Sequence, residues 1–290
     1  MLKITDRGKY YRRLRIIKRI VSHLFLILVV IFAVFPIYYV LLTSLSPLQN
    51  LAQVSLKTLI PNPAYLTTSN YRTIIYNYPF LLWLKNTLIY SSSATLIGLL
   101  LAITSGLALS RFNIPLKRII LYMMLILSLF PFVIMVIPFY FMFAQLNLLN
   151  SYYGLIMAYS GGAVIFSSWL IKNYVDLIPK DYEEAAQLDG YTRTGALFRV
   201  LVPIARPVII FALVISFMGP YTDYALAGQI LTSPSMYTMA IGLYYVSQGT
   251  VSMNYGTYSA FSILMGIPIF LLFFAFQRYL VSGFSISMYK

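Results

Sequence analysis

Six long apolar runs alternate with short polar stretches along this chain of 290 residues. They cover 24–45, 86–109, 119–146, 152–171, 208–227 and 257–276. Each is about 20 residues or longer, the length a helix needs to cross a bilayer. Membrane β-strands are about ten residues long and alternate in polarity, so a barrel is excluded. The pattern predicts an all-α integral membrane protein with six transmembrane helices. Six crossings place both termini on one side. Prolines 36, 131, 138, 220 and 268 fall inside the runs, where each removes a backbone N–H and can bend a helix. Packing geometry is the expected role for most of them, and Gly219-Pro220 is the best hinge candidate.

Charge gives the runs a direction. Of 21 Lys and Arg, 18 fall on the side shared with the N-terminus, eight of them within residues 1–19. Lys57, Arg72 and Lys85 remain on the other side. The positive-inside rule then places both termini in the cytoplasm. It yields a basic cytoplasmic tail at 1–23, a cytoplasmic loop at 172–207, an outer loop at 228–256 and a C-terminal tail at 282–290. The basic head precedes a run too long for a signal peptide and lacks a small-residue cleavage site. Anionic lipid headgroups are its expected partner, and nucleic acid is not.

Composition agrees with a membrane protein. The chain is 60% hydrophobic and 10% charged, with a mean hydropathy of +0.80. A soluble domain carries about 25% charged residues. The net charge of +14 follows from the loops. No cysteine is present, and His23 is the single histidine, which excludes thiolate chemistry and a histidine metal cluster. No Gly-x-x-x-x-Gly-Lys-Ser/Thr phosphate loop occurs. No catalytic residue or metal ligand is expected on this chain.

Acid is concentrated in one place. Five of seven carboxylates lie between Asp176 and Asp189. The stretch predicts a helix, a sharp turn and a second helix. Pro179 suits a first helical position. Asp181, Glu183 and Glu184 favour a helix N-terminus, Gly190 a helix end, and Thr192 a cap for a helix that Pro203 ends. Asp189 would sit at a disfavoured helix C-terminus, which points to a cationic partner outside the segment. Asp223 is the one acid within or near the end of a run. It reads as a hydrated interfacial residue or, in a self-contained proton-coupled carrier, as the proton site. Ser160, Gly161, Gly162 and Ala163 would permit close approach of another helix.

The pattern Glu184-Ala185-Ala186, three residues, Gly190, nine residues, Val200-x-Val202-Pro203 resembles the EAA motif of ABC importer permeases. Val200 and Val202 stand where that family usually has Ile and Leu. The end 277–283 resembles that of the carbohydrate-uptake, maltose-permease-G type. Asn70-Tyr71 and Leu84-Lys85-Asn86-Thr87, on the approach to the second run, resemble carbohydrate-uptake ABC permeases generally. The resemblance covers most of 20–290 and implies an ABC importer type I permease fold in the cell membrane. It implies that Glu183, Glu184, Ala185, Ala186, Asp189, Gly190 and Pro203 belong to a coupling segment docked on an ATPase. It implies that a tail with Ser282, Gly283 and Lys290 reaches the ATPase pair. It implies further that an outer loop with Tyr244, Tyr245, Asn254 and Tyr255 meets a solute-binding protein. The implied partners are a second homologous permease, two ATPase subunits holding ATP and Mg, and an extracytoplasmic solute-binding protein. The implied cargo is a mono- or oligosaccharide, with a polyol or glycerol phosphate as the alternative, and no substrate residue is assigned. A receptor or assembly factor is the competing non-transport reading.

Overall fold

The computed structural model describes residues 3–47, 60–61, 66–248 and 254–285, and the described residues are helical, with no strand among them. They divide into two compact units, Met1–Ile74 with Gly249–Ile263, and Ile75–Gln248 with Leu264–Lys290.

The first unit is built on α1 (Lys3–Ser44). This helix runs unbroken through the stretch read from sequence as a basic tail. Beyond Gly8 nothing before Pro36 interrupts it, and Lys and Arg are good helix formers. Its apolar part, Leu14–Ser44, has a mean hydropathy of 2.9, and none of its most apolar window is buried. Helix α2 (Ser69–Asn77) follows. Asn70 ties the unit together: its Nδ2 donates to the Ser44 and Ser46 carbonyls at 2.9 Å, and its Oδ1 accepts from Thr257 Oγ1 at 3.4 Å. Tyr71 hydroxyl meets Ser44 Oγ at 2.7 Å.

In the second unit, α3 (Phe80–Arg111) packs along α6 (Tyr152–Asp176). Ala94, Gly98, Ala102 and Gly106 recur every fourth residue and form one buried stripe on α3. A Cβ at Gly98 would lie 2.7 Å from the Ala163 Cβ and 3.2 Å from the Ser160 carbonyl. A Cβ at Gly106 would lie 3.0 Å from that of Ile171. The two backbones therefore touch almost directly, and Ser105 Oγ bonds Ser168 Oγ at 2.6 Å. Helix α10 (Arg206–Thr222) packs on both. One apolar core, including Leu99, Ile171, Val175, Leu197 and Val208, lies toward the C-terminal ends of α3 and α6. A second, including Tyr90, Val136, Leu155 and Ile230, lies toward their N-terminal ends.

The remaining elements are α4 (Lys117–Leu129), a 3-10 turn (Phe132–Met135), α5 (Val136–Gln145), α7 (Asp181–Leu188), α8 (Arg193–Ala196), a π-turn (Leu197–Leu201) and α9 (Val202–Ile204). After α10 come α11 (Ala227–Ile230), a 3-10 turn (Pro234–Met236), α12 (Met239–Ser247) and α13 (Tyr255–Ser285). The run 119–146 is broken before Pro131, which holds Phe130 extended at φ −73°, ψ 128°. Pro138 falls in the first turn of α5, where its missing N–H costs nothing. The run 208–227 ends as a helix at Thr222, because Asp223 turns extended. The polar stretch 228–256 holds helix α12, which a count of its Ser, Thr and Gly did not anticipate.

Four described helices are long and apolar enough to cross a membrane: Leu14–Ser44, Phe80–Arg111, Tyr152–Asp176 and Tyr255–Tyr279. Counting each of two bent pairs as one span gives up to six. The pairs are α4 with Val133–Gln145, and Arg193–Ile204 with α10, the latter bent by 74°.

Candidate functional site

The acidic segment folds from its own residues outward. Pro179 stands two residues ahead of α7 and not at its first position; Lys180 is the N-cap. Asp181, Glu183 and Glu184 occupy the first turn, at the positive end of the dipole. The other end is a Schellman turn. Gly190 N–H donates to the Gln187 carbonyl and Tyr191 N–H to that of Ala186, both at 3.1 Å. The turn requires the left-handed φ of +90° found at Gly190. Thr192 Oγ1 then accepts from Gly195 N–H at 3.1 Å and starts α8. Pro203 does not end this helix. The turn before it widens so that Val202 N–H reaches the Leu197 carbonyl, which eases the clash of the Pro203 ring with residue 199. The chain bends at Ala205 instead, ahead of Pro207.

Helix α7 sorts its residues onto two faces. Glu183 and Ala186 are buried. Asp181, Tyr182, Glu184, Ala185, Leu188 and Asp189 are exposed, Leu188 to 90%. An apolar side chain held so far into solvent, beside exposed Tyr182 and Glu184, forms a small mixed patch. Tyr174, Leu177, Ile178, Pro179, Tyr182 and Ile204 line a shallow cavity of about 250 Å³ next to it. Of the two adjacent glutamates, only Glu184 faces outward, and of the two alanines, only Ala185. Asp189 is exposed, and no ion pair to it occurs among the described residues. Pro203 is exposed as well.

Glu183 turns inward onto a residue that sequence reasoning missed. It forms an ion pair with Arg111 Nε, and the two side chains are only 5% and 10% exposed. Arg111 Nη2 donates to the Ile178 carbonyl at 2.8 Å. Arg193 Nη2 donates to the Arg111 carbonyl at 2.9 Å, with its guanidinium 4.4 Å from the centre of the Phe112 ring. Ser110 Oγ donates to Asp176 Oδ1 at 2.5 Å, and Lys172 pairs with Asp176 at 2.7 Å. In sequence Arg111 reads as one more positive charge at the end of a run, and no local signal links it to Glu183.

At the other end of α3, side chains hold the stretch 232–239, which contains the 3-10 turn Pro234–Met236. Asn86 Nδ2 donates to the Ser235 and Tyr237 carbonyls at 2.9 and 3.1 Å, while its Oδ1 accepts from Tyr152 hydroxyl at 2.7 Å. Trp83 Nε1 donates to the Pro234 carbonyl at 3.0 Å. Met239 N–H donates to Thr87 Oγ1 at 2.7 Å. Asn150 Oδ1 accepts from Thr232 and Ser233 N–H at 3.1 and 3.0 Å. This base carries α12, where Gly242 leaves space that the Trp83 ring occupies and a Cβ would overlap. Tyr244 is packed on Tyr224 at 4.5 Å between ring centres, and Tyr245, 60% exposed, lies edge-on to Tyr78. Asn254 belongs to the first unit and caps α13, accepting from Thr257 N–H at 3.0 Å; Tyr255 is the first residue of that helix. Ser282 and Gly283 lie in the last turn of α13, and Lys290 falls outside the described residues.

Asp223 is an anchor. Its Oδ2 accepts from Tyr159 hydroxyl at 2.7 Å and from Leu226 and Ala227 N–H at 3.1 Å, which fixes the turn between α10 and α11. It borders a cavity of about 380 Å³ between α6 and α10, lined also by Phe166, Ser167, Ser216 and Gly219. Ser160 and Ala163 meet α3 at Gly98, but no atom lies within 4 Å of where a Cβ on Gly161 or Gly162 would point. Helix α10 continues through Gly219-Pro220.

Several known proteins resemble this chain. It is 28% identical to the galactooligosaccharides transport system permease protein GanQ of Bacillus subtilis, over 93% of this chain and 94% of that one. It is 34% identical to the maltose/maltodextrin transport system permease protein MalG of Salmonella typhimurium, over 71% of each. A bacterial ABC transporter involved in the import of the acidic polysaccharide alginate contains a chain of the same fold, with a TM-score of 0.74 at 21% identity; the match covers 97% of this chain and 99% of that one. The family model for the inner membrane component of binding-protein-dependent transport systems matches residues 94–286, which takes in the acidic segment and its flanking helices. This chain, a multi-pass membrane protein, therefore belongs to the family of binding-protein-dependent transport system inner membrane components.

Proposed function

We propose that this chain is a permease subunit of a carbohydrate importer and that the outward face of α7 is where a separate ATPase docks. Support for a carbohydrate cargo comes from the relatives, whose names specify galactooligosaccharides, maltodextrin and maltose. The observation that carries the docking role is the exposed patch of Tyr182, Glu184, Ala185 and Leu188, held by the Gly190 turn in the one acid-rich segment. Ala185 admits a close neighbour, Leu188 fills an apolar hollow, and Glu184 and Asp189 each meet a cation. ATP and Mg belong to the ATPase pair. Docking brings closure of that pair to α7, and alternating access follows as the helices attached to it move. A second homologous permease completes the pathway, with the open Gly161-Gly162 face as a candidate contact. The face carrying Tyr244 and Tyr245, together with Asn254 and Tyr255, meets the solute-binding protein, and the end of α13 with 282–290 approaches the ATPase pair.

In this arrangement six segments cross the bilayer and both termini are cytoplasmic. Helix α10, at about 26 Å for its 17 residues, is close to the thickness of the hydrocarbon layer. The bent portion 193–204 then lies at the inner surface. Because the chain has no cysteine, a single Leu188→Cys substitution reports its side directly. A membrane-impermeant maleimide should label it in inside-out vesicles stripped of the ATPase and not in intact cells; labelling in intact cells places α7 outside and ends the docking proposal.

Glu184→Lys tests the contact itself. Reversing one charge of a desolvated pair costs about 2–5 kcal/mol, so ATPase co-purified with the tagged chain should fall at least tenfold while membrane yield is kept. An undiminished ATPase band in that variant removes Glu184 from the interface.

A further inference from the structure

We propose that Arg111 is a positioning residue that locks α7 to α3, a helix not adjacent to it in the chain. The inference rests on the permease reading and adds the route by which motion of α7 enters the membrane. Helix α7 is joined to α6 only through 177–180, a short linker containing Pro179, which donates no backbone hydrogen bond. Leu177 and Ile178 N–H stay bonded to the Tyr174 and Val175 carbonyls of α6, so the pivot is at Pro179-Lys180. Arg111 closes it from outside. Its guanidinium holds the linker at the Ile178 carbonyl and α7 at Glu183, while its own carbonyl receives Arg193 from the far side of the Gly190 turn. One residue thus touches the segments before, within and after the docking helix. Both charges are almost fully enclosed, so the pair has a single geometry, unlike a solvated surface pair.

The lock joins α7 to a stiff body. Helix α3 contains no proline, and its stripe at Gly98 and Gly106 fits tightly on α6. The other end of α3 holds the stretch 234–239 through Trp83, Asn86 and Thr87. A push on α7 is delivered to the base of α12 along one unbroken helix of about 48 Å. Neither the bend at Ala205 nor Pro220 lies on this route.

The cysteine-free chain allows a direct distance measurement. Spin labels at Leu82→Cys, on the outer end of α3, and Gln187→Cys, on α7 beside the docking patch, are read by pulsed electron resonance. The complex purified with its ATPase is measured with and without Mg and a non-hydrolysable ATP analogue. The expected result is one narrow distance distribution, unchanged by nucleotide. With Arg111→Met the distribution should widen at least twofold and become nucleotide-dependent. The double variant Arg111→Glu with Glu183→Arg should narrow it again by remaking the pair, though not fully, because a carboxylate at 111 cannot donate to the Ile178 carbonyl; a loss of general packing would allow no recovery. Glu183→Gln keeps the shape and gives an intermediate width, and it serves where Arg111→Met does not accumulate. A distribution as narrow and nucleotide-independent in Arg111→Met or Glu183→Gln as in the parent overturns the proposal. Absence of any ATPase from the parent preparation is a failure of the permease reading instead, and the widths measured on the chain alone still decide the lock.

Discussion

A Gly98→Val chain should melt about 10 °C below the parent in detergent. The cause is steric. The first carbon added at residue 98 would arrive 2.7 Å from the Ala163 Cβ and 3.2 Å from a carbonyl of α6. Neither is the tip of a flexible side chain, so two helix backbones must separate. Overpacking of this kind costs about 3 kcal/mol, and for a protein of this size each kcal/mol lowers Tm by about 2–4 °C. Ser105 and Ser168, two turns further along the same contact, would lose their 2.6 Å bond as the helices part. Gly161→Val is the matched control: a helical glycine, the same added volume, and open space at the site. Its melting point in the isolated chain should stay at or above that of the parent. Equal melting points for the two variants would show that α3 and α6 do not approach as closely as described.

Gly190→Pro should leave membrane yield near normal and reduce ATPase co-purification at least tenfold. Proline fixes φ near −65°, whereas this residue sits at +90°. It also removes the N–H that reaches Gln187. The Schellman turn cannot form, so Leu188 and Glu184 no longer face outward together. Gly190→Ala retains the N–H and costs only about 1–2 kcal/mol of left-handed strain, so its loss should be much smaller. The damage is local because a Cβ at 190 meets no atom within 4 Å, and the apolar cores lie elsewhere. Equal ATPase recovery from the proline and parent chains would separate the turn from docking.

What could be read from the sequence was what depends on near neighbours. The six apolar runs appear as four continuous helices and two bent pairs, and Gly190 and Thr192 adopt the cap roles their chemistry favours. The break at Pro131 exceeds the bend that a membrane proline alone suggests, because the ring also holds Phe130 extended. Contacts between distant residues were not legible. Arg111 and Glu183 are 72 residues apart, and each has an adequate local explanation. Gly161-Gly162 drew attention as a pair, while the stripe on α3 hides its spacing among leucines. Helix α12 was obscured by the Ser, Thr, Tyr and Gly around it, and Trp83 and Asn86, about 150 residues away, hold the stretch that leads into it.

The first helix has a geometric consequence for charge. At 42 residues α1 is about 63 Å long, roughly twice the thickness of a hydrocarbon layer. About half of its length is therefore surplus to one crossing of such a layer. Salt at physiological strength damps a field within about 8 Å, or five residues of helix. Arg19 and Lys18 lie near enough to the apolar boundary to feel the headgroups of such a layer. Rise per residue thus sets which charges of a cluster that looks uniform along the sequence can act as a membrane anchor.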